Sequence, residues 1–321
     1  MIKDNLVEKL NIAIVYYCYN RLDHTKRSLS KILKYREGLH LYIFSDAGKD
    51  MNNQAVIDIR KYIKETTSSL DNITIILRNQ NYGLSYNVIN GISQVFNNNF
   101  DAVIVLEDDC VPAINFFNFM ISSLNFYTKN EDVMHISAFG LPLKHKFNQD
   151  YYFTPYPCSW GWGTWKKNWC ACNFEDNVLY NKILDNYSIT KQFDWSGKSF
   201  SYFLSLYLNN KIDSWLIRWY VHIFKNKGLC LWAIDSKLEN IGFDGTGAHK
   251  VQFDRFNQKN INEKTEIIFK NDLILDLKII SNFKQFFMGP ALLDKIKTML
   301  YMYTGLLLDK IDDKSDYYKK C

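Results

Sequence analysis

The residues best suited to chemistry stand where an apolar run breaks into charge. In "IVLEDDCVP", which starts at Ile104, three apolar side chains are followed by three consecutive carboxylates, Glu107, Asp108 and Asp109. Carboxylates this close repel one another and resist ionising, so the triplet calls for a cation or a set of hydroxyl donors. A hard divalent cation, Mg2+ or Mn2+, is commonly held by one or two carboxylates together with substrate phosphate oxygens. Asp109 is the candidate ligand. Three other apolar runs end in polar groups of complementary chemistry: Tyr19-Asn20-Arg21, Ser45-Asp46 and Arg78-Asn79. Asp46 can accept from the imide N–H of a uracil-type base, and Arg21 can contact base or phosphate. A nucleotide-diphosphate donor accounts for the four ends together.

These ends need elements that bring them to one place. "NIAIVYY", "LHLYIFSD", "ITIILRN" and "DAVIVLEDD" read as strands with apolar residues on both faces. Between them lie helical patterns: one opened by Asp23 with Leu29, Ile32 and Leu33 on one face, one with Val56, Ile59 and Ile63 inward, and one with Leu84, Val88, Ile92 and Val95 at helical spacing. "FFNFMISSLNFY" continues the rhythm as a further helix. A strand–helix alternation with fully apolar strands predicts an α/β fold with a mostly parallel central sheet flanked by helices. Ligands in such sheets bind outside the carboxyl ends of the strands, where the polar groups collect.

From Tyr151 the character changes. "YYFTPYPCSWGWGTWKKNW" has no periodicity and reads as a Trp/Gly/Pro loop. Two helices ("SFSYFLSLYLNN", "WLIRWYVHIFKN"), a strand ("LCLWAI") and a Gly-rich loop ("ENIGFDGTGAH") follow. His135, in the strand "VMHISAF", reads as a core residue. The 321 residues suffice for one large core, and a hydrophobic share of 47% is that of a soluble globular protein. The net charge of +5 is not gathered into a stripe, which argues against nucleic acid as a partner. No apolar run has the length to span a bilayer. Seven cysteines and an N-terminus without a signal-peptide pattern predict a cytoplasmic protein with free thiols.

"VLEDD" after the fourth strand, "YNR" after the first and "SDAG" after the second resemble a GT-A glycosyltransferase. The resemblance is to the N-acetylglucosaminyltransferase I fold family and to bacterial polysaccharide transferases related to glycosyltransferase family 2. "SWGWGTWKKNW" and "NIGFDGTGAH" are similar to segments of those bacterial enzymes. The resemblance runs from Asn11 to Asp254. It implies a GT-A, Rossmann-like domain over 1–254, with a nucleotide-binding half over about 11–110 and an acceptor-side half over about 111–254. A helical C-terminal extension, 255–321, follows.

The function so implied is metal-dependent transfer of a sugar from a nucleotide-sugar, a UDP-sugar, to a glycan or lipid-linked glycan in bacterial surface polysaccharide synthesis. Carried over residue by residue, the resemblance puts Glu107 on donor-sugar hydroxyls, Asp108 on the ribose and Asp109 on the Mn2+ or Mg2+. Arg21 and Asp46, with Tyr19 and Asn20 beside them, would hold the nucleotide. Arg78 would line the diphosphate or sugar. Asn81 and Gly83 resemble a stretch that caps the following helix, and Gly83 also suits a tight turn.

Inverting transfer needs a base for the acceptor hydroxyl. The family sets that Asp directly before a Trp; here Ser214 holds the position, with Asp213 one residue earlier. Asp213 is therefore read either as the base or as an N-cap of the helix that follows. His249, after Gly242, Gly245 and Gly247, would come to the metal on a closing loop. Gly161 and Trp162 would lie nearest the donor sugar, with Trp160 and Trp165 as further acceptor wall or as core.

Two rivals remain. A sugar-nucleotide pyrophosphorylase should carry a Gly-rich phosphate loop after the first strand, and "YYCYNRLDH" has no glycine. A non-catalytic sugar- or nucleotide-binding module would not need an Arg, an Asp and a metal carboxylate on separate strand ends. The stretch from Phe286, "FFMGPALLDKIKTMLYMYTGLLLDKIDDKSDYYKK", reads as an amphipathic helix for the inner face of the cytoplasmic membrane, or as one that packs on the domain or a second subunit.

Overall fold

Ile12–Cys18 forms β1 because seven consecutive apolar, largely β-branched or aromatic residues bury both faces of a strand. The computed structural model describes residues 9–50, 53–143, 147–195, 200–244, 246, 256, 261, 264 and 266–288. After β1 come α1 (Leu22–Tyr35), β2 (His40–Ser45), α2 (Gln54–Thr67), β3 (Ile73–Leu77), α3 (Leu84–Phe96) and β4 (Ala102–Glu107). These are the alternating elements that the sequence predicts. Leu29, Ile32, Val56, Ile59, Ile63, Val88, Ile92 and Val95 all point into the core. Leu84 does not: at the first turn of α3 it is 51% exposed. Asp23 lies in the first turn of α1 without capping it; the N-cap position is Arg21.

The chain continues through β5 (Cys110–Pro112), α4 (Phe116–Phe126), β6 (Val133–Ser137), β7 (Tyr151–Thr154), β8 (Trp162–Trp165), α5 (Lys166–Cys170), α6 (Asn177–Asp185), α7 (Tyr187–Phe193), α8 (Phe200–Leu208), α9 (Trp215–Lys225), β9 (Leu229–Ala233), β10 (Leu238–Asn240) and α10 (Leu277–Met288). The main sheet has eight strands in the order β3-β2-β1-β4-β8-β6-β9-β7, and β10 pairs with β5 in a small second sheet. The first four strands are parallel; β8 runs antiparallel to both β4 and β6, and β7 antiparallel to β9.

The Trp/Gly/Pro stretch is a correction to the sequence reading. It is not a loop throughout but supplies β7 and β8. The glycines that hide its strand character are what lets it pack. A Cβ on Gly163 would meet the Val103 carbonyl oxygen at 2.8 Å and Met120 at 2.9 Å, so β8 fits beside β4 and under α4 only without one.

The segment 266–288 packs on the domain. Phe269 sits among Phe119, Phe126, Tyr127 and Tyr151, and the Tyr127 hydroxyl donates to the Lys270 carbonyl at 2.8 Å. Ile279, Ile280 and Phe283 of α10 are buried, Phe283 against Trp232 and Tyr152. The remainder of the predicted amphipathic stretch lies outside the described residues. No helix among those described is long and apolar enough to cross a membrane. Their cysteines are all free thiols.

Candidate active site

Strand register fixes what shares an edge. Tyr17 of β1 lies opposite Glu107 of β4, Cys18 opposite Ser45 of β2, and Ser45 opposite Leu77 of β3. The next residues in each chain segment, Tyr19 to Arg21, Asp46, Arg78 and the acidic triplet, therefore leave the sheet along one carboxyl edge. Tyr19 is half-buried there and Asn20 exposed.

The cation demanded by the triplet is Arg21. Its Nη2 pairs with Asp108 Oδ1 and, at 3.0 Å, with Asp109 Oδ2. One guanidinium faces three carboxyls. Burial, and then the charges of Asp109 and Asp108, push the Glu107 carboxyl up to about 8. Burial pushes Asp108 up to about 6 against the pull of Arg21. Among the described residues Asp109 Oδ1 faces only the weak S–H donor of Cys110, 3.6 Å away. This surplus of negative charge, with an oxygen free of strong donors, fits a hard divalent cation. Among the described residues no group of three or more His, Cys, Asp or Glu is disposed to enclose a metal. A cation here would take one or two protein carboxylates and draw its other ligands from substrate and water.

A strap crosses this cluster that the strand pattern did not reveal. β10 pairs with β5, Asn240 opposite Cys110, and the Ile241 N–H donates to the Asp109 carbonyl at 2.9 Å. Gly242 then passes so close that a Cβ would meet Asp109 Oδ2 at 2.5 Å. His24, on the first turn of α1, ties the strap down: its Nε2 lies 3.1 Å from the Ile241 carbonyl and 3.3 Å from Asp244 Oδ2. His24 was not among the expected residues. Its only signal was its position three residues after Arg21, one helical turn along the same face.

Asp46 Oδ1 accepts from the Ala47 and Tyr82 N–H groups at 2.9 and 3.0 Å, and Oδ2 from Gly83 at 3.0 Å, so these bonds leave one position on Oδ2 for the base imide expected there. Asp46 is a buried knot joining the end of β2 to the start of α3. Asn81 adds to it by donating to the Ala47 carbonyl at 2.7 Å. Gly83 is the α3 N-cap at φ 76°, the turn role expected of it. Arg60 of α2, also unforeseen, closes the same corner by donating to the carbonyls of Ser45, Asp46 and Arg78. Arg78 itself lies along α3, its Nε and Nη2 donating to Asn87 and Asn90 at 3.0 and 2.7 Å, with its guanidinium over Phe44 and Tyr82.

Asp213 neighbours Gly83 and pairs with Arg218 at 3.4 Å, its side chain 61% exposed. The N-cap of α9 is Ser214, whose hydroxyl accepts from Ile217 N–H at 3.4 Å, so the capping role considered for Asp213 is withdrawn. Arg218 is buried and also bonds Glu175 Oε1 at 2.8 Å and Ser85 Oγ, which fixes α9 against α3 beside Asp213.

Gly161 and Trp162 are corrected as sugar contacts. Trp162 is fully buried, stacked between His135 (5.1 Å) and Trp215 (4.8 Å), and offers a sugar no free face. Gly161 has φ 55°, and a Cβ there would run into Leu238 and meet Phe116 at 2.9 Å. Trp165 is core as well, whereas Trp160 is half-buried against Phe139, Phe243 and Phe256. His249 lies outside the described residues.

Comparison with curated proteins finds no match. Among solved structures the chain is similar to a mannosyltransferase, PcManGT from Pyrobaculum calidifontis in complex with GDP-Man and Mn2+ (14% identity, TM-score 0.35, covering 50% of this chain and 46% of that one). It is also similar to GalNAc-T7 with UDP, GalNAc and Mn2+ (12% identity, TM-score 0.43, 75% and 46%). A third likeness is to a cytidylyltransferase from Leptospira borgpetersenii serovar Hardjo-bovis strain JB197 (10% identity, TM-score 0.33, 56% and 73%). The chain thus spans 46% of the length of the first two. The sequence model of the GNT-I family matches residues 3–177, just over half of the 321 residues and the whole of the edge that carries Arg21 and the acidic triplet. On that match the chain belongs to the GNT-I family, a GT-A-like glycosyltransferase family.

Proposed function

We propose that this glycosyltransferase moves a sugar from a UDP-sugar donor to a glycan or lipid-linked glycan acceptor, with inversion, in bacterial surface polysaccharide synthesis. The observation that carries the reading is the acidic triplet at the carboxyl end of β4, sharing one arginine from the end of β1. On this reading residues 11–110 bind the donor, 111–254 face the acceptor, and 255–321 extend the domain toward the inner membrane face.

Asp109 would hold Mn2+ or Mg2+, with His249 as a second ligand. When bound, such a cation supplies Lewis-acid neutralisation of the departing diphosphate. Asp108 and Glu107 stand beside it for the ribose and sugar hydroxyls. A Glu107 carboxyl pushed up to about 8 can donate as well as accept, which suits a sugar hydroxyl. Tyr19, Asn20 and Arg21 border the nucleotide. Asp213, exposed and free of the capping duty, is the base that takes the acceptor hydroxyl proton.

The test is turnover by the full chain with Mn2+, a panel of UDP-sugars and glycan acceptors, followed as released UDP. Transfer should occur with at least one donor and fall by roughly 10³-fold in Asp109→Asn, the scale of losing several kcal/mol of charge stabilisation. Asp213→Asn should lower turnover by about 10²–10⁴-fold at unchanged UDP affinity. UDP binding without release from any donor would favour a non-catalytic module. Full activity in Asp213→Asn would remove it as the base.

A further inference from the structure

Arg21 holds one of the two Asp109 oxygens that the proposed metal could use. Its Nη2 takes Asp109 Oδ2 at 3.0 Å and Asp108 Oδ1 at the same time, and its side chain is only 15% exposed. The strap closes the opposite approach. Gly242 abuts the same Oδ2, and His24 and the Ile241 N–H hold that strap to α1 and to the Asp109 backbone. A cation that uses both Asp109 oxygens must therefore take one from Arg21. A guanidinium displaced from Asp109 keeps only Asp108 as partner inside a largely buried cleft, which leaves donors of its fork free for another anion.

We propose that Arg21 is an internal cation that a divalent metal displaces from Asp109, and that the diphosphate of the donor receives the freed guanidinium. The inference rests on the reading of Asp109 as the metal ligand. Metal and nucleotide then bind as a coupled pair. Metal alone must compete with Arg21, and nucleotide alone finds Arg21 already engaged. Together each removes the other's obstacle, and the coupling is reciprocal by linkage. The same arrangement explains why Arg21 bonds both aspartates rather than Asp108 alone: the second bond is the one the metal exchanges.

The experiment measures Mn2+ binding to the full chain by electron paramagnetic resonance and calorimetry, with and without UDP, and needs no turnover. In the native protein, UDP should tighten Mn2+ binding by about 10-fold or more, within the usual range of coupling between sites. Arg21→Ala should bind Mn2+ alone about 10-fold more tightly than native, and UDP should then add less than about 3-fold. Because the variant leaves Asp108 and Asp109 without their cation, its melting temperature should fall without metal and rise more steeply with Mn2+ than that of the native protein. Arg21→Lys, which keeps the charge but cannot reach two carboxylates as a fork, guards against a folding failure and should bind Mn2+ alone more tightly than native.

Unchanged or weaker Mn2+ binding in both Arg21 variants would overturn the displacement, while loss of binding in Asp109→Asn would still support the metal reading. Native Mn2+ affinity in Asp109→Asn would instead overturn the metal reading itself.

Discussion

The two halves of the main sheet spend their polar groups in opposite ways. The parallel half, β3-β2-β1-β4, has apolar strands and releases its charges only beyond the strand ends, where Arg21, Asp108 and Asp109 meet at a largely buried edge. The mixed half, β8-β6-β9-β7, keeps polar groups inside. His135 is fully buried, with Nε2 3.2 Å from the Cys158 nitrogen and Nδ1 3.2 Å from Trp219 Nε1, only one of which a neutral ring can accept from, and it stacks on Trp162. Trp162, Trp169 and Trp219 continue that contact as a ladder of rings toward His222. In a parallel sheet all strand ends face one way, so charge can be gathered at an edge at little cost to the core. Antiparallel strands send chain ends to both edges, and here the aromatic residues serve packing instead.

Three experiments could break that contrast. The largest effect belongs to Trp162→Ala, which removes a fully buried indole and should cost about 4 kcal/mol in chemical denaturation. Activity should fall only as the folded fraction falls. A stable variant that binds donor but loses transfer would return Trp162 to the sugar site.

Next comes Asp46→Ala at the boundary between core and site. Three backbone N–H groups lose a charged acceptor, for a cost of about 3 kcal/mol. UDP affinity, measured below the melting transition, should change less than stability does. The reverse order, an intact melting temperature with lost UDP binding, would make Asp46 chiefly a ligand.

The smallest effect per group is the pH dependence that each of two buried imidazoles of the aromatic half contributes, opposite in sign to that of the raised Glu107 and Asp108 carboxyls. Burial pushes His135 down to about 3, and burial with Lys225 pushes His222 down to about 4, against about 6.5 for an unfolded imidazole. A folded pKa below the unfolded one means that the folded state binds fewer protons between the two values. This stabilisation is complete above pH 6.5 and is lost as pH falls toward 4 and then 3. At pH 5 each buried imidazole should have withdrawn about 2 kcal/mol relative to pH 7.5. The His135 ring protons should show no titration by NMR over that range. A titration near 6.5 would mean that the ring is not held neutral in the core.

Sequence by itself determined the parallel half. Period and apolarity fix four strands and three helices, and register follows because sliding a doubly buried strand would carry charge inward. The expectation that Tyr19 to Arg21, Asp46, Arg78 and the triplet leave along one edge comes from this alone. The triplet's demand for a cation was legible too, although the residue that meets it, Arg21, was read as a nucleotide contact.

Tertiary structure alone decided what each polar group touches. A carboxylate after a strand looks the same in sequence whether it binds a ligand, as proposed for Asp109, or ties down three N–H groups, as Asp46 does. A Trp between two glycines looks like an exposed wall until β8 pairs with both β4 and β6 and encloses Trp162. His24 and Gly242 meet over Asp109 only because β10 returns to pair with β5, more than a hundred residues away in the chain. Periodicity is a local property that a chain declares in its own order. The occupancy of a lone pair, or of a ring face, is settled by atoms that arrive from elsewhere.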